Sequence, residues 1–248
     1  AAVFQQVLEK GRFTMGDSVK EFETAFACKF RVPNALMVSS GSMANLIALS
    51  AFFYKKERPL ERGDEVIVPS ISWATTYYPL QQLGLKLKFL DVELDTLNMD
   101  VSRLEEALTP KTRMVVAVSI LGNPCALDIL RTFCDKHELY LFEDNCESMG
   151  ALLNGKLCGT FGDIGTFSTF YSHHISTMEG GFVCTNNDEC YHILLSLRAH
   201  GWTRNLPKKN KIYKFPKKTE NESWNFILPG YNLRPGEIHA SIGIQQIK

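Results

Sequence analysis

No stretch of this 248-residue chain approaches the roughly 20 consecutive apolar residues that a membrane-spanning helix needs. An excess of charge is missing as well. The 27 basic residues are matched by 27 acidic ones, so net charge supplies no attraction to nucleic acid or to an anionic membrane. No C-x-x-C pair occurs among the seven cysteines, and the count is odd. Free thiols in a reducing compartment are the simplest reading, which places the chain in the cytoplasm. The first ten residues lack the charged-then-apolar pattern of a signal peptide. There is no initiator Met, and Glu237–Lys248 reads as a helix that stops in mid-pattern, so both ends look cut. Among the six histidines there is no H-E-x-x-H or H-x-x-x-H spacing, and no metal site is expected. No G-x-G-x-x-G follows a strand, which leaves a dinucleotide-binding dehydrogenase unsupported. The segment from Gly150 to Leu157 begins like a phosphate-binding P-loop. It ends in Leu instead of the Ser or Thr that would bind magnesium, and Asn154-Gly155 reads as a hairpin turn.

What is present is an alternation. Short runs rich in β-branched and aromatic residues predict strands over Glu65–Pro69, Leu85–Val92, Met114–Ile120, Leu139–Phe142, Ile164–Phe170 and Gly181–Thr185. Between them, helices are predicted over Ser42–Phe53, Val101–Leu108 and Ala126–Glu138. Strand–helix alternation and 45% apolar content argue for one sizeable α/β domain with a largely parallel sheet. Gly201–Ser223 is polar and lysine-rich and reads as a long surface loop.

Three segments carry chemistry. In the run from Val38 to Asn45 an apolar stretch meets Ser40-Gly41-Ser42 as a helix begins. Gly41 admits close approach to the backbone, and first-turn amides point at an anion, an arrangement suited to phosphate. An ordinary serine N-cap is the competing reading. In the run from Leu139 to Glu147 an apolar strand ends in Glu143 and Asp144. Ligands of open α/β sheets sit beyond such strand ends. There Asp144 suits pairing with a pyridinium nitrogen, and Glu147 a neighbouring ring substituent. A solvated strand end is equally compatible. In the third, Ser168 stands five residues before His173, within a segment that closes on Glu179-Gly180-Gly181. Two incidental loop histidines are the plain alternative.

Together these segments resemble the sugar aminotransferases of the DegT/DnrJ/EryC1/StrS family. The resemblance extends through Gly11-Arg12-Phe13-Thr14-Met15-Gly16, Arg198-Ala199-His200-Gly201 and Gly230-Tyr231-Asn232-Leu233-Arg234-Pro235-Gly236-Glu237. It implies an aspartate-aminotransferase-like, fold-type-I large domain over residues 1–248, a three-layer α/β/α unit with a mostly parallel mixed sheet. A small C-terminal domain of the family would lie outside this chain. The implied cofactor is pyridoxal or pyridoxamine 5′-phosphate. Gly41, Ser42 and Ser168 would hold its phosphate, Trp73 would stack on its ring, Asp144 would pair with the ring nitrogen, and Glu147 would approach the ring hydroxyl. Asn232 would reach the phosphate of a neighbouring subunit, making a homodimer with shared sites.

One departure changes the expected chemistry. Six residues before the Glu-Gly-Gly turn, aminotransferases of the family carry the lysine that binds the cofactor covalently. Here that position is His173. His-His-Ile in this place resembles the family's dehydratase branch, which removes the 3-hydroxyl of nucleotide-linked 4-keto-6-deoxy sugars, here with a GDP-linked sugar as the expected substrate. The cofactor would then be bound without a covalent link, an amino donor such as glutamate would recharge it, and His173 would be the base, with His174 as the alternative. The cysteines lack cluster spacing, and no iron–sulfur cluster is expected. Two other readings stay open at this point: an aminotransferase using non-covalent cofactor, and a non-catalytic scaffold.

Overall fold

The computed structural model describes residues 2–216 and 224–248. The elements run α1 (Ala2–Lys10), α2 (Asp17–Phe30), β1 (Asn34–Val38), α3 (Gly41–Phe52), β2 (Glu65–Pro69), α4 (Ala74–Gln82) and β3 (Lys86–Leu90). They continue with α5 (Leu104–Ala107), β4 (Thr112–Val118), α6 (Leu127–Lys136) and β5 (Tyr140–Asp144). A small hairpin of β6 (Leu152–Leu153) and β7 (Lys156–Leu157) follows, then β8 (Ile164–Ser168), β9 (Gly181–Thr185), α7 (Asp188–Leu197) and α8 (Glu237–Gln246). Seven strands form one sheet in the order β1-β9-β8-β5-β4-β2-β3. β9 runs antiparallel to both its neighbours, and the other pairings are parallel.

Alternation along the central strands builds the layers. On β4, Met114, Val116 and Val118 join one apolar cluster, with α3 and α7 residues such as Ile47 and Leu194. Val115 and Ala117 join the other, with Leu130 and Phe133 of α6. β2 and β5 split the same way, Val66 and Phe142 to the first face, Ile67 and Leu141 to the second. Strands buried on both faces read as continuous apolar runs, which is why they were legible in the sequence. A third cluster lies under α2 and α8. There Phe22, Phe26 and Phe30 recur at four-residue spacing, and Phe26 stacks on Phe182 at 3.9 Å between centroids.

The sequence-based elements differ from the structure in particular places. Val101–Leu108 is not one helix. Its first three residues form a 3-10 turn after the Asp100 cap, and only Leu104–Ala107 is α-helical. β3, β4 and β8 are shifted or shorter by two residues at an end, while β2 and β9 match their expected spans. Asn154-Gly155 does form the hairpin turn, with φ of 52° and 78°. Of the Gly201–Ser223 loop, residues 217–223 lie outside the described residues, Lys217 and Lys218 among them; Lys208, Lys209, Lys211 and Lys214 are exposed.

Candidate active site

The carboxyl ends of the parallel strands converge on a cavity of about 500 Å³. Val118 comes from β4, Asp144 from β5 and Ser168 from β8; the N-terminus of α3 and the start of α4 form the remaining walls. Six of the expected site residues, Gly41, Ser42, Trp73, Asp144, Glu147 and Ser168, line this one space together with His173. Segments far apart in the chain are thus brought to one place by the sheet order alone.

At the α3 end, both readings of the Ser-Gly-Ser run hold at once. Ser40 is an N-cap whose hydroxyl accepts from the Met43 amide at 3.2 Å. Gly41 has a packing reason of its own: a Cβ there would lie 2.5 Å from Ser168 Cβ and 3.1 Å from Cys146 Sγ. Only glycine lets the first turn of α3 press against the end of β8. The result gathers first-turn amides and the Ser42 and Ser168 hydroxyls on one wall, a donor set suited to phosphate. Ser42 Oγ donates to Thr75 Oγ1 at 3.0 Å, tying α3 to α4.

At the floor, Asp144 is 5% exposed and held from several directions. Its Oδ2 accepts from Asn45 Nδ2 at 2.8 Å and from Thr76 Oγ1 at 2.8 Å. Its Oδ1 accepts from the Cys146 amide at 3.2 Å. These donors fix the orientation of the carboxylate. Glu143, one residue earlier, has a different task. It is fully buried, accepts from the amides of Gly159 and Gly162, and burial pushes its carboxyl up from the ordinary range. It fastens the loop before β8 and does not line the cavity. Glu147 accepts from the Leu121 amide at 2.6 Å, in a turn where Leu121 adopts φ of 51°.

The loop between β8 and β9 carries the histidines and is pinned at its base. The Thr169 amide donates to Gly180 O at 2.9 Å, the Thr177 amide to Thr169 O at 2.8 Å, and the two threonine hydroxyls meet at 2.6 Å. His173 is half-buried on the cavity wall, and its amide donates to Phe170 O at 3.0 Å. Burial, and then the neighbouring His174, hold its imidazole below the ordinary value, with Glu147 and Asp144 acting the other way. His174 is exposed and is not part of the cavity wall. Glu179 is part of it. Trp73 occupies the N-cap position of α4 and is 72% exposed at the rim, a helix-start aromatic with a free ring face. Among the described residues no lysine lines the cavity. Asn232 does not line it either: it is exposed, accepts from Arg234 Nε at 2.9 Å, and pairs through its backbone with Ala199. Sequence reasoning gave no role to Asn45, Thr75, Thr76, Cys146 and Thr166, which support or complete the floor; of these only Asn45 and Cys146 fall within the runs singled out in the sequence.

The sequence profile described as the DegT/DnrJ/EryC1/StrS aminotransferase family matches residues 1–248. The chain belongs to this family. Within the family it is similar to the GDP-4-keto-6-deoxy-D-mannose 3-dehydratases of Escherichia coli and Yersinia pseudotuberculosis. It is 54% identical to the first over 245 residues, 98% of this chain and 63% of that protein. It is 52% identical to the second over 246 residues, 98% of this chain and 62% of that protein. A crystal structure of a GDP-4-keto-6-deoxymannose 3-dehydratase with a trapped PLP–glutamate geminal diamine superposes with a TM-score of 0.95 at 53% identity, covering 99% of this chain and 64% of that one. The fold is therefore that of the PLP-dependent, aminotransferase-like enzymes, as the resemblance implied. The chain spans just under two thirds of the length of these relatives.

Proposed function

We propose that this chain is the cofactor-binding part of a cytoplasmic sugar-nucleotide 3-dehydratase, one that removes the C3 hydroxyl of GDP-4-keto-6-deoxy-D-mannose or a close analogue. One observation carries the reading: His173 stands on the wall of the cavity that has Asp144 at its floor, with no lysine among the described lining residues. The cavity fits pyridoxal or pyridoxamine 5′-phosphate by the chemistry of its donors. A glycine cradle and hydroxyls lie at a helix N-terminus, a clamped carboxylate at the floor, and a free indole face at the rim. When bound, the amine form supplies a nucleophile for the sugar's ketone and a protonated ring that accepts electrons.

The residues divide the remaining work. Gly41, Ser42 and Ser168 bind the phosphate, Trp73 covers the ring, and Glu147 orients it through the neighbouring hydroxyl. Asp144 keeps a proton on the ring nitrogen. His173 takes a proton from the carbon that bears the cofactor's amine and returns one to the departing C3 oxygen, a task suited to an imidazole near neutrality. Unlike a lysine, it cannot capture the cofactor covalently, so the aminated sugar is left to water, which releases ammonia and the 3-deoxy ketone. Glutamate restores the amine form. Asn232 of the partner subunit reaches the phosphate in a homodimer.

The test is to supply the protein with pyridoxal phosphate, glutamate and GDP-4-keto-6-deoxy-D-mannose and to weigh the product. A sugar lighter by one oxygen, with ammonia formed in step with glutamate consumed, is the expected result. Appearance of the nitrogen in an amino sugar makes the protein an aminotransferase instead. A protein that binds no cofactor refutes the reading altogether.

A further inference from the structure

The carboxylate at the cavity floor is served by groups whose hydrogen bonds run in only one direction. Asn45 Oδ1 accepts from Thr166 Oγ1 at 2.6 Å, and its Nδ2 gives one proton to Asp144 Oδ2 and the other to the Thr75 carbonyl at 3.2 Å. Turning the amide over would set its oxygen against a carboxylate and a carbonyl, both acceptors, so the amide has one orientation. Thr76 Oγ1 donates to the same Oδ2, and its second contact, Ser72 Oγ at 2.8 Å, therefore donates to it. Thr166, Asn45 and Asp144 are 0%, 1% and 5% exposed and Thr76 is 1%. Oδ2 is thus filled by two donors. Oδ1 accepts from the Cys146 amide, and Asp144 lines the cavity.

Resting on the reading of the cavity as a pyridoxal phosphate site, we propose that Asn45 and Thr76 are positioning residues that hold the Asp144 carboxylate in one orientation and leave Oδ1 to pair with the cofactor's ring nitrogen. Their effect is on where one proton resides. With both donors in place the ion pair of carboxylate and protonated ring is favoured. With a donor removed, the carboxylate is free to turn, its pairing with the ring nitrogen weakens, and the ring gives up its proton more readily, leaving a neutral ring that is a poor electron sink. Thr166 and Ser72 act one step further out, by fixing the direction of these donors.

The experiment loads the purified protein with ¹⁵N-labelled pyridoxal phosphate and reads the ring nitrogen's chemical shift, which separates protonated from unprotonated rings, alongside the affinity for the cofactor. Wild type should show a protonated ring. In Thr76→Val the ratio of protonated to unprotonated ring should fall by about tenfold or more, the scale on which one hydrogen bond to a charged group acts. Asn45→Leu should do the same, and Thr76→Ser, which restores the hydroxyl, should return the shift to the wild-type value. Circular dichroism checks that each variant is folded; Thr76→Ser against Thr76→Val keeps the comparison within one site if Asn45→Leu fails to fold. A folded Thr76→Val with an unchanged ring shift overturns the positioning role while leaving the cofactor site intact. Wild type that binds no pyridoxal phosphate overturns the site itself, a distinct outcome.

Discussion

At the scale of single residues, the proposed function turns on the histidine on the cavity wall. His173→Lys should create a covalent link, seen as a pyridoxyl-lysine at position 173 after borohydride reduction and peptide mapping, and should abolish dehydration. His174→Ala should cost less activity, because His174 is exposed and off the wall. The pH profile follows from burial. The imidazole of His173 is held below its ordinary value, and a base works in its neutral form, which exists above its pKa. The acid limb of kcat/KM should therefore rise with pH through a midpoint below the ordinary histidine value of about 6.5. A midpoint at or above that value assigns the base elsewhere. Asp144, His173 and Gly41, which line one cavity, could be singled out because each sits in a short run of distinctive residue types. Asn45 and Thr76 could not, since they meet Asp144 across 99 and 68 residues of chain. Hydrogen bonds between segments so far apart leave no local pattern to read.

Among the elements, the buried strands other than β1 were legible, and several helices were not. α4 contains Pro79 and, after Ala74, runs Thr-Thr-Tyr-Tyr, residues that favour extended chain. It is helical because a parallel connection from β2 to β3 requires a crossover. α2 announces itself only through its phenylalanines, and its start carries no side-chain cap of its own. The cap comes from the other end of the chain: Glu237 accepts from the amides of Gly16, Ser18 and Val19 at 2.7 to 3.0 Å and is 3% exposed. Three donors on one buried carboxylate at a helix N-terminus make a strong joint. Glu237→Gln should lower the unfolding free energy by about 1.5–3 kcal/mol, measured by urea titration. A change within error would show that the α2–α8 contact is held by its apolar residues alone.

For the molecule as a whole, Asn232 poses the question of assembly. It is exposed and lies away from its own chain's cavity, so its expected part in phosphate binding requires a second copy. Light scattering should give twice the chain mass, and Asn232→Ala should weaken cofactor binding several-fold while leaving the fold intact. A monomer that binds the cofactor at full strength removes the shared site. The layered α/β architecture was legible from strand–helix alternation, whereas which strands become neighbours was not, because that order is set by packing across the whole sheet. One further consequence lies in the loop between β8 and β9. Closed at its base by Thr169, Thr177 and Gly180, it hangs from the sheet as a loop whose two ends meet, so its contents are nearly independent of strand register. Exchange of His173 should leave these base contacts in place. Within such a fold, a change of chemistry is a change of cargo on a fixed hook, and new reactions can arise here without first disturbing the stability of the core.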